Sequence, residues 1–309
     1  RQRHLTIPCE MCIRDRRHTM KSITTQNETL EVARARNIAD ALAEDIGTGD
    51  WTAQLVPANK IAHAKLIVRQ SAVLCGTDWF EGIIDALDPK AVIAWQYAEG
   101  DTMRADSTVC TIDADARALL SAERPAMNFL QTLSWTATSA RAHVDAIAGA
   151  SPNPKGCVIL DTRKTIPGLR QAQKYAVRIG GGHNQRLALW HGILIKENHI
   201  AAAGSVTAAL KAAQALNAGV DIQVEVENLA ELEEALAAGA KSILIDNFTT
   251  AQMKEAVAFT QGRALLEASG GVNLDQLRTI AATGVDRISI GKLTKDVSAV
   301  DYSMRILQS

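Results

Sequence analysis

Apolar positions change their period twice along this chain. Over residues 29–45, Leu30, Ala33, Ile38 and Leu42 share one helical face, and Gly47 and Gly49 close the helix predicted there. Shorter β-like runs follow at 61–69, 72–75, 92–97 and 107–112, punctuated by Gly76, Gly100 and Asp101. A helix ahead of several strands predicts a small α+β domain ending near residue 114. A long helical stretch runs from Ala116 to about Ala148, and Pro125 inside it predicts a kink or a fresh helix start.

From residue 157 the pattern is different. Six short apolar runs recur at 157–160, 193–195, 222–226, 242–245, 264–266 and 287–290. Ala-rich helical segments such as 230–238 and 274–282 lie between most of them. Strands that alternate with helices imply parallel βαβ units, and the spacing suits a barrel or an open sheet equally.

Each run finishes on polar residues. They are Asp161-Thr162-Arg163-Lys164, Lys196-Glu197-Asn198-His199, Glu225 with Glu227, Asp246-Asn247, Glu267-Ala268-Ser269-Gly270-Gly271 and Ser289-Ile290-Gly291-Lys292. In parallel α/β folds the carboxyl ends of the strands converge on the site. Solvated loop residues would also end strands this way, but Glu225 and Glu227 sit within their run, two apart and on one face.

The signs on this rim describe a ligand. Arg163, Lys164, Arg186 and Lys196 form a cationic patch suited to phosphates or carboxylates. Glu225, Asp246 and Glu267 would repel such anions unless they hold Mg²⁺, bind sugar hydroxyls or face a developing positive charge. A phosphorylated sugar with an anionic second substrate uses both sets. Gly180-Gly181-Gly182 is expected to let backbone approach a ligand closely, and Ser269-Gly270-Gly271 to aim free N–H groups at a phosphate.

Composition narrows the partners. The 309 residues carry a formal charge of −1 and are 47% hydrophobic, which argues against nucleic acid or an anionic membrane as the main partner. No apolar run approaches the roughly 20 residues that span a bilayer. Residues 1–19 hold five arginines against two carboxylates, a net of +3 that leaves −4 for the remainder. Their Cys9 and Cys12 form a CxxC with no second ligand pair nearby, and Met20 is expected to begin the native protein, residues 1–19 being a non-native leader. Cys75, Cys110 and Cys157 read as reduced core thiols of a cytoplasmic protein.

Longer strings are more specific. Asp161-Thr-Arg-Lys-Thr-Ile-Pro-Gly-Leu-Arg170, Lys174-Tyr-Ala-Val-Arg-Ile-Gly-Gly-Gly182 and Ile195-Lys-Glu-Asn-His199 resemble the quinolinate phosphoribosyltransferase family. So do Glu123-Arg124 with Asn128-Phe129-Leu130, Val224-Glu-Val-Glu227, Leu244-Ile-Asp-Asn-Phe248 and Gly284-Val-Asp286. The resemblance covers residues 28–307 and implies an N-terminal α/β sandwich domain over 20–130. It implies an incomplete α/β barrel of about six strands over 131–292, of the type II phosphoribosyltransferase kind, with residues 293–309 packing back on the first domain. It also implies a homodimer and a reaction joining quinolinate to phosphoribosyl pyrophosphate with Mg²⁺, giving nicotinate mononucleotide, CO₂ and pyrophosphate.

The resemblance implies roles residue by residue. Arg124 would reach a quinolinate carboxylate from the partner chain. Thr162, Arg163, Gln185, Arg186 and Lys196 would complete the grip, with Lys164 between the substrates. Glu225 and Asp246 would hold ribose hydroxyls, directly or through Mg²⁺, and stabilise an oxocarbenium-like centre. Ser269, Gly270, Gly271, Ser289, Ile290 and Gly291 would cradle the 5′-phosphate. Ribosylation is expected before CO₂ loss, because a positive ring nitrogen tolerates electron density on the neighbouring carbon.

Two positions depart from the family pattern. Gln185 stands where a histidine is usual, with His183 displaced two residues, and Pro125 directly follows Arg124. A neutral amide still donates a hydrogen bond but carries no charge. The competing readings are a related enzyme acting on nicotinate without decarboxylation, and a non-catalytic phosphosugar-binding module. Four cations around the acceptor suit two carboxylates better than one.

Overall fold

The computed structural model describes residues 27–307. The CxxC of Cys9 and Cys12, the leader and the expected start at Met20 lie outside them. The first helix, Leu30–Asp45 (α1), begins where the Thr29 hydroxyl accepts the Val32 amide at 3.3 Å. Strands Ile61–Val68 (β1) and Ala72–Val73 (β2) precede a helix that periodicity did not single out, Thr77–Leu87 (α2). The Glu99 carboxylate caps it, accepting the Gly76 and Thr77 amides at 2.8 and 3.2 Å.

Strands Val92–Trp95 (β3), Thr102–Met103 (β4) and Ser107–Asp115 (β5) complete the N-terminal strand set. β1 pairs antiparallel with β5 on one side and with a distant strand, Tyr302–Ile306, on the other. Residues 302–306 therefore return to the first sheet. Trp79, Phe80 and Ile83 of α2 and Leu66 and Val68 of β1 are buried in its core.

The helix Ala116–Ile147 (α3) runs unbroken through Pro125, so of the two expected outcomes the fresh helix start does not occur. Asp115 caps it, accepting the Arg117 and Ala118 amides at 3.0 and 3.1 Å. Packing outweighs the local penalty of the proline, because Pro125 is itself buried and the helix is held in both cores. Leu119, Phe129, Leu130 and Leu133 belong to the N-terminal core, while Ala140 and Ile147 belong to the second.

The second unit alternates as the apolar runs predict. Its elements are Val158–Leu160 (β6), Arg170–Ile179 (α4), Gly192–Ile195 (β7), Glu197–Ala203 (α5), Val206–Ala215 (α6), Asp221–Val226 (β8) and Leu229–Ala237 (α7). Ser242–Asp246 (β9), Thr250–Thr260 (α8), Leu265–Ser269 (β10), Leu277–Ala281 (α9), Arg287–Ser289 (β11) and Lys292–Lys295 (α10) follow, ahead of Tyr302–Ile306 (β12).

The six strands are all parallel, in the order β6-β11-β10-β9-β8-β7, an incomplete α/β barrel. β6 and β7 do not pair with each other, and the segment after α4 lies along β6, bridging at Leu160 and His183. Gly180 serves this packing. A Cβ there would lie 2.3 Å from the Ala137 carbonyl of α3, so the close approach is to the chain's own helix rather than to a ligand. No helix among the described residues is long and apolar enough to cross a membrane.

Candidate active site

The site grows from a buried ion pair at the end of β6. Asp161 and Lys174 are both fully buried and meet directly. Asn184 Nδ2 and the Gln185 amide also donate to Asp161, at 2.6 and 2.9 Å. Burial pushes the Asp161 carboxyl up and the Lys174 ammonium down, and each partner's charge opposes that. This anchor fixes α4 and the segment 184–186 against the start of the loop that carries Thr162, Arg163 and Lys164.

The loop is pinned at its other end as well. Thr294 Oγ1 donates to the Lys164 carbonyl at 2.7 Å, and Gln173 Nε2 donates to the Thr294 carbonyl at 2.8 Å. Lys164 lies over Gly291, where a Cβ would sit 3.1 Å from Lys164 Cδ and 3.5 Å from Thr162 Oγ1. Thr162, Lys164 and Gly291 therefore share one corner of the rim.

At the ends of β7 and β8, Lys196 Nζ lies 2.8 Å from Glu225 Oε2. Lys196 is half-exposed and Glu225 nearly buried. Glu227, expected beside Glu225, lies beyond the strand and is exposed. Next in the sheet, Asp246 and Ser269 end β9 and β10 in register. Asn247 Nδ2 donates to Asp246 at 2.7 Å, and the Asn247 amide donates to the Ser269 carbonyl at 3.1 Å. Gly270 has φ +99°, and a Cβ there would fall 2.2 Å from Asn247 Oδ1, so only glycine fits this turn.

Other expected residues are placed differently. The Ile290 amide donates to the Leu160 carbonyl at 2.9 Å and Ser289 is buried, so Gly291 is the open position of that triplet. Glu267 is not on the rim but inside the barrel, 1% exposed. Gln185 Nε2 donates to Gln223 Oε1, and Gln223 Nε2 to Glu267 Oε2, each at 2.8 Å. Burial raises the Glu267 carboxyl above its usual range, against the Gln223 and Ser289 hydrogen bonds and the Arg287 charge.

Arg186 Nη1 donates to the Gly192 carbonyl at 2.9 Å. Burial, and then the Arg163 charge, lower its guanidinium below the usual range. Arg124 is exposed on α3 and makes no side-chain hydrogen bond or ion pair among the described residues. Gln223 was not singled out in the sequence, although its two-residue spacing from Glu225 places both on the inner face of β8.

The sequence profile described as Quinolinate phosphoribosyl transferase, C-terminal domain, matches residues 136–305, and that of the N-terminal domain matches residues 50–134. The chain belongs to the quinolinate phosphoribosyltransferase family. Within it, the chain is 40% identical over 275 residues to a protein of Mycobacterium leprae named nicotinate-nucleotide pyrophosphorylase [carboxylating], covering 86% of this chain and 95% of that one. A probable nicotinate-nucleotide pyrophosphorylase [carboxylating] of Bacillus subtilis is 39% identical over 267 residues, covering 86% of this chain and 91% of that protein. The solved nicotinate-nucleotide pyrophosphorylase of Francisella tularensis superposes with a TM-score of 0.85 at 40% identity, covering 92% of this chain and all of that one.

Proposed function

We propose that this chain transfers the phosphoribosyl group of phosphoribosyl pyrophosphate to quinolinate with loss of CO₂, giving nicotinate mononucleotide and pyrophosphate for NAD synthesis. The observation that carries this reading is the contact of Lys196 with Glu225 beside Asp246, in a chain of this family. It joins a cation for an acceptor carboxylate to carboxylates for a ribose on one rim.

The ribose C1–oxygen bond to pyrophosphate breaks and C1 bonds to the ring nitrogen. Glu225 and Asp246 favour the positive charge that C1 gains on the way, more in the transition state than before it. Lys164 meets the departing pyrophosphate, a role supported by its exposed position over Gly291. The ring C2–carboxylate bond then breaks, CO₂ leaves, and the electron pair held on C2 beside the positive nitrogen takes up a proton. Ser269, Gly270, Gly271 and Gly291 form the phosphate end of the rim.

Mg²⁺ suits this donor set as an ion carried in by substrate. Glu225 and Asp246 are two carboxylates, and no group of three or more His, Cys, Asp or Glu fit to hold a metal occurs among the described residues. Mg²⁺ commonly keeps waters and substrate phosphates with one or two carboxylates. Glu225 and Asp246 would hold it, directly or through water, and bound there it would offset pyrophosphate charge.

The acceptor grip is completed in a homodimer, with Arg124 of one protomer reaching its partner's site. Support comes from Arg124, exposed and without a side-chain partner among the described residues, and from Trp51 and Leu55, large apolar side chains that are 80% and 84% exposed. A cytoplasmic location agrees with the free thiols of Cys75, Cys110 and Cys157. The test is incubation with quinolinate, phosphoribosyl pyrophosphate and Mg²⁺, measuring pyrophosphate and CO₂ together. Release of both is expected. Turnover of nicotinate with none of quinolinate would replace this reading with the non-decarboxylating one.

A further inference from the structure

A second polar compartment lies at the other end of the barrel. A cavity of about 650 Å³ opens at the amino ends of the strands, within the size range of small-ligand sites. Arg186, Lys241 and Arg287 line it, together with His183 and His191, while Asp221 is its one carboxylate. Of the residues of the acceptor grip, Gln185 and Arg186 border it, whereas Thr162, Lys164, Lys196, Glu225 and Asp246 do not. The hydrogen-bonded row Gln185–Gln223–Glu267 crosses the barrel interior between this cavity and the catalytic rim.

Arg287 is the informative residue. It pairs in register with Glu267 on the neighbouring parallel strand, so both side chains leave the sheet on the same inner face. An ion pair would be the ordinary outcome for a half-buried arginine beside a buried glutamate. Instead Glu267 accepts from Gln223, and Arg287 makes no side-chain hydrogen bond or ion pair among the described residues. Lys241, just ahead of β9, makes none either. Three cations facing one cavity against a single carboxylate form an anion site with unused donors. Apolar walls at Leu160, Leu210 and Leu265 suit an organic portion.

We propose that this cavity is a regulatory site for a small phosphate monoester, and that its occupant competes with the acceptor for Arg186. The coupling rests on the function proposed above. Arg186 is held toward the cavity by the Gly192 carbonyl, whereas a bound quinolinate would draw its guanidinium toward the 162–164 loop, whose start at Asp161 accepts the Gln185 amide. One guanidinium cannot serve both anions. By linkage each ligand then weakens the other to the same degree.

The probe is inorganic phosphate, used on the full chain with the double variant Arg287→Gln, Lys241→Gln, neither of which touches the catalytic rim. In wild type, phosphate is expected to raise the quinolinate KM by about fivefold or more at saturation. In the double variant that effect should vanish, while competition of phosphate with phosphoribosyl pyrophosphate persists in both proteins. Crystals soaked in phosphate should show density beside Arg287 in wild type only. Equal phosphate effects on the quinolinate KM in the two proteins, with no density at Arg287, would overturn the proposal. The soak reads out without turnover, so an inactive protein that still binds phosphate at Arg287 would count against the proposed reaction and not against the site. Circular dichroism of the variant, and Lys241→Gln alone, guard against loss of fold.

Discussion

Lys196 Nζ sits 2.8 Å from Glu225 Oε2, so a cation meant for the acceptor and a carboxylate meant for the ribose neutralise each other in the free protein. An acceptor carboxylate arriving at Lys196 must take it from Glu225, and that exchange releases Glu225 toward the ribose. Glu225 is buried but Lys196 is half-exposed, so solvent still screens the pair and the exchange costs on the order of 1 kcal/mol. Glu225→Gln should therefore bind quinolinate up to about fivefold more tightly while kcat falls by about a hundredfold or more. Calorimetric titration with quinolinate beside steady-state kinetics checks both, and weaker quinolinate binding would contradict the exchange.

Lys164 over Gly291 makes a second prediction. Lys164→Ala removes the cation nearest the departing pyrophosphate without touching a core residue, since Lys164 is exposed. A fall in kcat of about 10²–10³ with an unchanged melting temperature is expected. Unchanged turnover would remove Lys164 from the mechanism and leave the fold untouched.

The buried pair at the base of the site tests differently, through stability. Asp161 and Lys174 have no exposure, so removing one charge strands the other in the interior. Asp161→Asn or Lys174→Met should each destabilise the protein by about 3–5 kcal/mol, against a far smaller loss when both are replaced by apolar residues of similar volume. Urea unfolding of the two single variants and of Asp161→Leu, Lys174→Met measures the difference.

How much of this was legible in the sequence follows from where each signal comes from. The six parallel strands were visible because their apolar runs and Ala-rich helices alternate locally. The rim of Thr162, Lys164, Lys196, Glu225 and Asp246 followed because strand ends in such folds converge. α2 was missed: its N-terminus is capped by Glu99, twenty-two residues from Thr77, which no local pattern reveals. At Pro125 the fresh helix start that a local rule about proline allows is overridden by packing in two cores. Glu267 was assigned to the rim because charge alone does not report depth. Its 1% exposure and its register with Leu244, two residues before the Asp246–Ser269 pair, show it lying below them.

That depth gives Glu267 a pH signature. Its folded-state carboxyl is raised above its unfolded value, so the native state holds a proton that the unfolded chain has already lost. Its stabilising contribution is complete below the ordinary glutamate range and drains away as pH rises through the folded value. Glu267→Gln cannot ionise. Chemical denaturation at pH 4.5, 6 and 8 should show the variant gaining on wild type as pH rises. A constant gap across that range would mean that Glu267 does not change protonation on folding.

The return of β12 to β1 has a consequence for how the chain is made. Residues 61–68 present an unfilled sheet edge until residues 302–306 are available to cover it. At ordinary ribosomal speeds of roughly 5–20 residues per second, that edge stays open on the order of tens of seconds on every nascent chain. Whatever shields Ile61–Val68 during that interval, whether the ribosome surface or a chaperone, governs how much of the enzyme reaches its folded state.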